Sequence, residues 1–435
     1  MSFFQLSQIY LSILNVFVII YKRSALDQRL NNEGESHVSK FKLQSLIFIL
    51  VAFMLGCNEF IVVGILSDLS KQFQVPISIM GYLVTIFATV YAVSTPFVTV
   101  LTSRYNRYKT LLSLMLVFLI GNTLSGLATN YIFMVISRII TATTAGSIIS
   151  LVMTFASTIA PRDKRASLVS WIFAGFSIAS VFGVPIGVAI STSYNWRYTF
   201  FGISVISIVT FILLVFLLPK KVKQTQSSIK NQLTLLLDPR IYYGIVLVLF
   251  TAATMYAYYT YIRPLLTTTM GFSNTSLNWL LFIIGIMSIL SNRLSGAIAE
   301  RPNGLNAIPK FYVADIILLL MMPLGLTNKI SGMAILLILT LIVTVLNSPI
   351  QLHFLNIAES DYPQSLVLAS SLSSIFFNFG ISLGSATASV MVGIVGLDKI
   401  SIGSAVYAMI SLAFLYLLNQ AIKRHQTGPA THISA

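Results

Sequence analysis

Glu59 is the only acidic residue that lies well inside a long apolar stretch of the sequence, at residues 43–66. An ionised carboxylate at the centre of a hydrocarbon layer costs on the order of 3 kcal/mol, so we expect this side chain to face a cavity or a partner. Burial favours the neutral form of a carboxyl and a nearby cation favours the ionised form, so an acid that meets both surroundings in turn can bind and release a proton. Glu59 is therefore the leading candidate for proton coupling. The alternative is a structural acid held by hydrogen bonds.

Arg138 is the basic residue that matches Glu59 in depth. With a rise of about 1.5 Å per residue, each lies roughly 10 Å from the same side of the hydrocarbon layer, because the apolar stretch at 131–155 runs opposite to the first. We expect the guanidinium to be the partner of the Glu59 carboxylate. The alternative is that Arg138 extends its long stem to the surface or stabilises helix packing.

Further polar side chains within apolar stretches are candidates for the lining of a cavity. Tyr258 and Tyr261 share a helical face with Thr254, where rings could stack on a sugar or a flat drug and hydroxyls could hydrogen-bond to it. Tyrosines near the end of a membrane helix also form the interfacial belt, and single polar residues also join helices to one another, so both interpretations stay open. The other candidates are Asn58, Asn347, Gln351 and Asn378.

A third group of residues could control opening and closing. The candidates are Arg104, Glu300, Arg301, Gly183, Pro185 and Gly187. The charged ones lie in short loops, where charge pairs could hold two halves in one state, although basic loops also serve membrane orientation alone. Pro185 removes a backbone donor and the glycines beside it allow close approach, so this segment should bend or pack tightly against a neighbour.

The composition indicates what surrounds these residues. Of 435 residues, 56% are hydrophobic and only 9% are charged, whereas soluble domains carry roughly 25% charged residues. This excludes a soluble globular domain and indicates a polytopic membrane protein. The only cysteine, Cys57, cannot form an internal disulfide, and the sequence has no Cys/His cluster with metal-site spacing and no P-loop segment. We therefore expect no enzyme activity, cofactor, metal or nucleic-acid partner.

Twelve apolar stretches are long enough to span a bilayer, and only helices can do so because lipid cannot satisfy free backbone groups. They lie at 43–66, 79–102, 110–128, 131–155, 166–191, 198–218, 241–264, 275–298, 309–326, 330–356, 366–393 and 400–420. We predict an all-α membrane protein with twelve transmembrane helices in two six-helix halves. The predicted divisions are an N-terminal extension at 1–40, a bundle at 41–218, a cytoplasmic linker at 219–240, a bundle at 241–422 and a cytoplasmic tail at 423–435.

Basic residues in alternate loops set the predicted orientation. The net charge of +15 comes from 27 Lys and Arg against 12 Asp and Glu. Of the 27, 21 lie before the first stretch, after the second and fourth, around the junction of the eighth and ninth, in the linker and in the tail. The positive-inside rule then places both termini in the cytoplasm of a cell with this protein in its membrane. Residues 3–21 form a further apolar run, which is an interfacial helix, a thirteenth span or an upstream extension of the reading frame.

An internal repeat relates the two halves. The segments Gly183-Val-Pro-Ile-Gly187 and Gly380-Ile-Ser-Leu-Gly384 lie 197 residues apart, and the same offset separates Arg104 from Arg301. The first and seventh stretches begin about 198 residues apart. One offset that relates three features indicates duplication of a six-helix unit. Paired halves around a central cavity are the architecture of rocking carriers.

Several motifs resemble those of a known family. Gly56-Cys-Asn-Glu-Phe-Ile-Val-Val-Gly64 resembles an efflux-permease pattern, and the segments Thr260-Tyr-Ile-Arg-Pro264 and Gly271-Phe-Ser273 match its seventh and eighth spans. Gly296-Ala-Ile-Ala-Glu-Arg301 is similar to the loop signature Gly-x-Leu-Ala-Asp-Arg, whose first-half copy at 99–107 is degraded. Over about residues 43–420 the chain thus resembles the major facilitator superfamily, and within it the drug/proton antiporter group with arabinose and sugar-efflux permeases.

This resemblance implies the major facilitator fold and a proton-driven exporter of a small organic molecule, such as a sugar, nucleoside or drug, that works by alternating access. It also implies that an arginine at the position of Arg138 takes part in proton coupling and that residues 183–187 form an antiporter motif. The implied partners are the substrate, protons and the lipid bilayer. The alternatives are an importer or uniporter of the same fold, or a membrane sensor or scaffold that no longer transports.

Overall fold

The computed structural model describes residues 33–102, 105–161, 164–220, 233–301 and 304–427. This part of the chain is helical and has no strands. Twelve of its helices are long and apolar enough to cross a membrane. The predicted all-α fold with twelve transmembrane helices is therefore confirmed. The apolar run at 3–21 and the loop residue Arg104 lie outside the described residues.

The first six spanning helices are numbered in chain order. They are α1 (Glu33–Phe73), α2 (Tyr82–Thr102), α3 (Arg107–Gly126), α4 (Tyr131–Ile159), α5 (Arg165–Ile178, Ala179–Gly183 and Val184–Ser193) and α6 (Trp196–Leu217). The middle piece of α5 is a π-helical turn. Pro185 explains this turn, because its nitrogen has no hydrogen to donate to the carbonyl of Val181 and the helix widens where that bond is missing.

The second six helices contain two interruptions. They are α7 (Pro239–Tyr259), α8 (Asn274–Ala299), α9 (Pro309–Gly325), α10 (Lys329–Val343 and Asn347–Asp361), α11 (Leu366–Ile394) and α12 (Ile400–Thr427). The stretches at 241–264 and 330–356 were expected to be continuous. The structure ends α7 at Tyr259 and breaks α10 after Val343, and a proline a few residues beyond each break, Pro264 or Pro349, lacks the amide that would continue the helix.

The two halves pack in the same way internally. Helix α1 packs against α5 and α6, as α7 packs against α11 and α12. The repeated glycines make these contacts close: a Cβ atom at Gly187 would lie 2.0 Å from Cδ1 of Ile61 on α1, and one at Gly384 would lie 2.5 Å from the carbonyl oxygen of Ala253 on α7. The glycine segments of the sequence repeat therefore hold α5 and α11 against the first helix of their own half.

Two helix pairs join the halves across the centre, namely α2 with α11 and α5 with α8. We call the side with the basic loops the inner side and the opposite side the outer side. Midway along α8, a Cβ atom at Gly285 would lie only 2.7 Å from Cα of Val181 on α5. The rings of Phe182 and Phe282 meet beside it with centroids 5.6 Å apart.

Candidate functional site

Glu59 lies half-buried midway along α1, between the two halves. Its carboxyl interacts electrostatically with Arg138 of α4, Tyr91 of α2 and Tyr256 of α7. It is not among the ion pairs or hydrogen bonds of the described residues. Both halves thus contribute to its surroundings, which we call the chamber: Glu59, Tyr91, Arg138, Tyr256 and Tyr259. Glu59 and Tyr256 are 197 residues apart, so they occupy equivalent positions of the repeat.

Arg138 is held beside Glu59 by the neighbouring residue. Its side chain is 1% exposed, and Nη1 donates to both the carbonyl oxygen and Oδ1 of Asn58 at 2.9 Å. The guanidinium carbon lies 4.0 Å from the centroid of the Phe87 ring, in cation–π contact. The structure therefore places the predicted pair close together, but the hydrogen bonds of Arg138 go to the backbone and amide next to the acid. A fixed positive charge results, because three contacts orient the guanidinium.

Asn58 belongs to a buried amide network directly beside the chamber residue Arg138. Its side chain is inaccessible, and Nδ2 donates to Oδ1 of Asn122 at 2.7 Å. Asn122 in turn donates to the carbonyl oxygen of Phe200 at 2.9 Å and to Oγ of Ser204 at 2.8 Å. The network connects α1, α3, α4 and α6, so it fixes the helix that carries Glu59.

The tyrosines of the α7 region take three different positions. Tyr258 is buried inside the C-terminal half, where it interacts electrostatically with Asp315. Tyr261 lies on the outer side of the molecule. Its hydroxyl is 3.1 Å from the carbonyl oxygen of Ser78 and 3.0 Å from Oγ of Ser389. The tyrosines near Glu59 are instead Tyr256 and Tyr259, whose ring centroids are 5.8 Å apart.

The remaining predicted residues lie at different distances from the chamber. Asn378 of α11 is buried and donates to the carbonyl oxygen of Ser374 at 3.1 Å. Ser374 also approaches the hydroxyl of Tyr91 at 3.5 Å, which places this part of α11 beside the chamber. Asn347 and Gln351 are half-buried on the second piece of α10. Glu300 and Arg301 lie exposed where α8 ends on the inner side, and neither is in an ion pair of the described residues.

Pairs of hydrogen-bonded hydroxyls join the two halves on the outer side. Oγ1 of Thr85 lies 2.8 Å from Oγ of Ser385, and Oγ1 of Thr89 lies 2.5 Å from Oγ of Ser382. We call this contact of α2 with α11, including Tyr261 against residues 77–78, the outer seam. A Cβ atom at Gly81 would lie 2.0 Å from the hydroxyl oxygen of Tyr261, so only glycine fits there in the closed seam.

An ion pair reinforces the outer seam. Arg263, 4% exposed, donates from Nη1 to Oδ2 of Asp68 at 2.6 Å and from Nη2 to Oδ1 at 2.9 Å. Nη1 also donates to the carbonyl oxygen of Gly64 at 2.9 Å, and the hydroxyl of Ser191 donates to Asp68. We call Asp68, Arg263 and Ser191 the outer latch, because they join α1 and α5 to the segment after α7. Sequence reasoning missed the pair, although both charges stand at the outer ends of equivalent spans.

The contact between α2 and α11 loosens towards the inner side. The face of α2 that carries Thr85 and Thr89 continues through Val93 and Pro96, and both of these are exposed. Asn292, about two turns beyond the middle of α8 towards the inner side, is exposed while it donates to Oγ of Ser177 on α5 at 3.0 Å. The structure is thus closed on the outer side. The chamber brings together one carboxyl, one fixed guanidinium, phenol hydroxyls and ring faces.

Comparison with known proteins identifies the family. A family model of the Major Facilitator Superfamily matches residues 48–385. The chain belongs to this superfamily. As a Major Facilitator Superfamily protein it is a multi-pass membrane transporter. It is 30% identical over 347 residues to the MFS-type transporter YtbD of Bacillus subtilis (strain 168), covering 80% of this chain and 87% of that protein. It is 27% identical over 378 residues to the inner membrane transport protein YdhP of Escherichia coli (strain K12), and this match covers 86% of this chain and 95% of YdhP.

Two solved structures share the fold. A bacterial homologue of the human lysosomal transporter Spinster, in its inward-facing and unoccupied conformation, superposes with a TM-score of 0.72 at 14% identity. The match covers 90% of this chain and 99% of that one. The occupied inward-facing structure of such a homologue gives a TM-score of 0.71 at 15% identity. The predicted major facilitator fold is thereby confirmed.

Proposed function

We propose that this transporter exports a small organic molecule in exchange for protons by alternating access. The observation that carries the proposal is the position of Glu59: a half-buried carboxyl between the halves, beside a fixed guanidinium and without a hydrogen bond among the described residues. Such a carboxyl is free to accept either a proton or a polar group of a ligand. Intramembrane acids that face a cavity commonly serve proton relays and substrate pathways.

Competition between proton and substrate at Glu59 would couple the two fluxes. When the substrate occupies the chamber, it meets the ionised carboxylate and the rings of Tyr91, Tyr256 and Tyr259. When a proton binds, the carboxyl becomes neutral and its attraction for the substrate falls, so the substrate leaves. Sugars, nucleosides and flat drugs suit these walls, because ring faces stack and phenol hydroxyls hydrogen-bond.

The orientation forms part of the same proposal. The excess of basic residues in alternate loops supports an orientation with both ends in the cytoplasm and the protein in a cell membrane. The relative YdhP is an inner membrane transport protein. The chamber of the present structure then faces the cytoplasm and takes up substrate there. In the opposite state, the inner loops with Arg104, Glu300 and Arg301 come together and the outer latch opens.

Flux in proteoliposomes tests the proposal directly. The purified protein is reconstituted with a pH-sensitive dye inside, and a panel of sugars, nucleosides and drugs is tested with and without an imposed proton gradient. We expect uphill movement of one substrate class, opposite in direction to the protons. Glu59→Gln should lose uphill movement but retain downhill exchange, because it removes only the titratable group. Glu359→Gln, which changes an exposed carboxylate near the end of α10 and outside the chamber and the loops assigned to gating, is the matched control.

Each other outcome contradicts a part of the proposal. Uphill transport by Glu59→Gln would exclude Glu59 as the proton site. Movement of substrate and protons in the same direction would indicate an importer. Flux that does not respond to the proton gradient would indicate a uniporter. Ligand binding without flux would identify a sensor.

A further inference from the structure

A second acidic side chain is buried within the C-terminal half, away from the chamber. Asp315 of α9 is 1% exposed, and its Oδ1 atom has no hydrogen-bond partner in the described part of the chain. It is also absent from the ion pairs of the described residues. An isolated buried carboxylate is strongly disfavoured, so the charge of Asp315 must be neutralised by something bound to it.

Asp315 lies beside the break in α10. A narrow crevice at its carboxyl is lined by residues on both sides of that break, Ile342, Val343, Val345 and Leu346. The first piece of α10 ends at Val343, so its last carbonyls and the partial negative charge of a helix C-terminus belong to this crevice. Broken membrane helices recur at ion and proton sites for this reason. The second piece begins at Asn347, so its N-terminal amides meet the same break and offset that partial charge. The buried acid itself is therefore what calls for a bound positive charge.

The groups packed around Asp315 supply no such charge. Tyr258 of α7 and Tyr312 of α9 interact with it electrostatically, and the Tyr312 hydroxyl is hydrogen-bonded to Thr251. Helix α12 adds the Ser411 hydroxyl near Tyr312, and α10 adds apolar side chains. Phenols and alcohols are neutral at physiological pH. Within the described residues, therefore, the neutralising group is not a basic side chain.

We propose that Asp315 is a proton-binding site of the C-terminal half, separate from Glu59. The crevice is too narrow for a water molecule and its lining is mostly apolar, whereas a metal cation requires several oxygen ligands. The bound cation is therefore a proton, and Asp315 is a neutral carboxylic acid in the outer-closed state. When water reaches the crevice, the O–H bond breaks, the electron pair remains on the carboxylate and the proton passes to water.

Infrared spectroscopy of the purified full-length protein tests this site without any transport measurement. A neutral carboxylic acid gives a C=O stretching band that is distinct from that of a carboxylate and shifts in D2O. The comparison uses Glu59→Gln and Glu59→Gln/Asp315→Asn near neutral pH, so that Glu59 contributes to neither spectrum. We expect a carboxylic-acid band in the first protein that is lost in the second. Identical spectra would overturn the proposal.

Two further measurements separate a bound proton from a bound metal ion and from a folding defect. The band should be the same in sodium chloride and in choline chloride; its disappearance in sodium would show a metal site and overturn the proton assignment. Asp315→Glu should retain a shifted band, which keeps the test valid if Asp315→Asn does not fold. The result does not depend on the direction of transport or on Glu59, so failure here leaves the exporter proposal intact.

Discussion

Neutralising Asp68 should open the outer side of the transporter. In the closed state, Asp68→Asn leaves the guanidinium of Arg263 buried without its counter-charge, whereas in the open state water can solvate it. Breaking a buried pair costs roughly 3 to 5 kcal/mol. Because the Asp68 side chain is 22% exposed, we expect about 2 to 3 kcal/mol here, which favours opening by roughly 30- to 150-fold.

Thiol labelling measures this opening. The only native cysteine, Cys57, is buried and is replaced by alanine to give an unreactive background. Ser385, which is inaccessible in the outer seam, is then replaced by cysteine. A membrane-impermeant maleimide added on the outer side should label it in proportion to the open population. The expected increase in labelling rate on Asp68→Asn is therefore roughly 30- to 150-fold.

Matched variants decide whether the latch causes the change. Asp398→Asn removes an exposed carboxylate from the same side and should leave the labelling rate unaltered. Ser191→Ala removes one hydroxyl from Asp68 and should increase the rate only a few-fold, since one hydrogen bond contributes about 1 kcal/mol. Equal rates for Asp68→Asn and Asp398→Asn would refute the assignment of the ion pair as a latch.

Three further changes test close packing and charge. Gly81→Val should hold the seam open and label as fast as the latch variant, because even a Cβ atom there would lie 2.0 Å from a hydroxyl across the seam. Gly384→Ala should lower the free energy of unfolding, measured by thermal denaturation, by about 3 kcal/mol, because its Cβ would lie 2.5 Å from the α7 backbone. Gly296→Ala should leave that free energy unchanged, because a Cβ there would meet nothing within 4 Å. Burial disfavours ionisation of Asp238, but the hydrogen bonds and charge of Arg240 outweigh it and place the pKa below its ordinary 3.8. The ionised form therefore stabilises the fold above about pH 4 and this contribution is lost as pH falls through the lowered pKa, so Asp238→Asn should flatten the loss of thermal stability measured between pH 5 and pH 3.

The spans were predictable from the sequence, because each must hide its backbone from lipid and must be apolar for its full length. The breaks in α7 and α10 were not predictable in the same way. At α10 the carbonyl of Val345, which Pro349 cannot satisfy, accepts a hydrogen bond from Ser295 of α8 at 2.8 Å. Such a contact depends on which helices become neighbours, and hydropathy does not contain that information.

Of the candidate site, the acid and the arginine were predictable from the sequence, because charged residues are rare in the apolar stretches. The sequence did not reveal which face of α7 meets Glu59, because Tyr256, Tyr258 and Tyr259 lie within one turn and point in different directions. One signal was available: the repeat offset of 197 leads from Glu59 to Tyr256. The pairing of Asp68 with Arg263 joins residues 195 positions apart and needed the folded structure.

Glu59 and Tyr256 occupy equivalent positions of the repeat but carry different chemical groups. The two halves therefore present different chemistry to the chamber. If the two halves were identical, a ligand could bind in two equivalent orientations related by a two-fold rotation. Here one half presents a carboxyl and the other half a phenol at the same position of the repeat, so a ligand bound in the proposed site would meet different partners in those two poses. Divergence at this single duplicated position is enough to break the two-fold symmetry of the chamber.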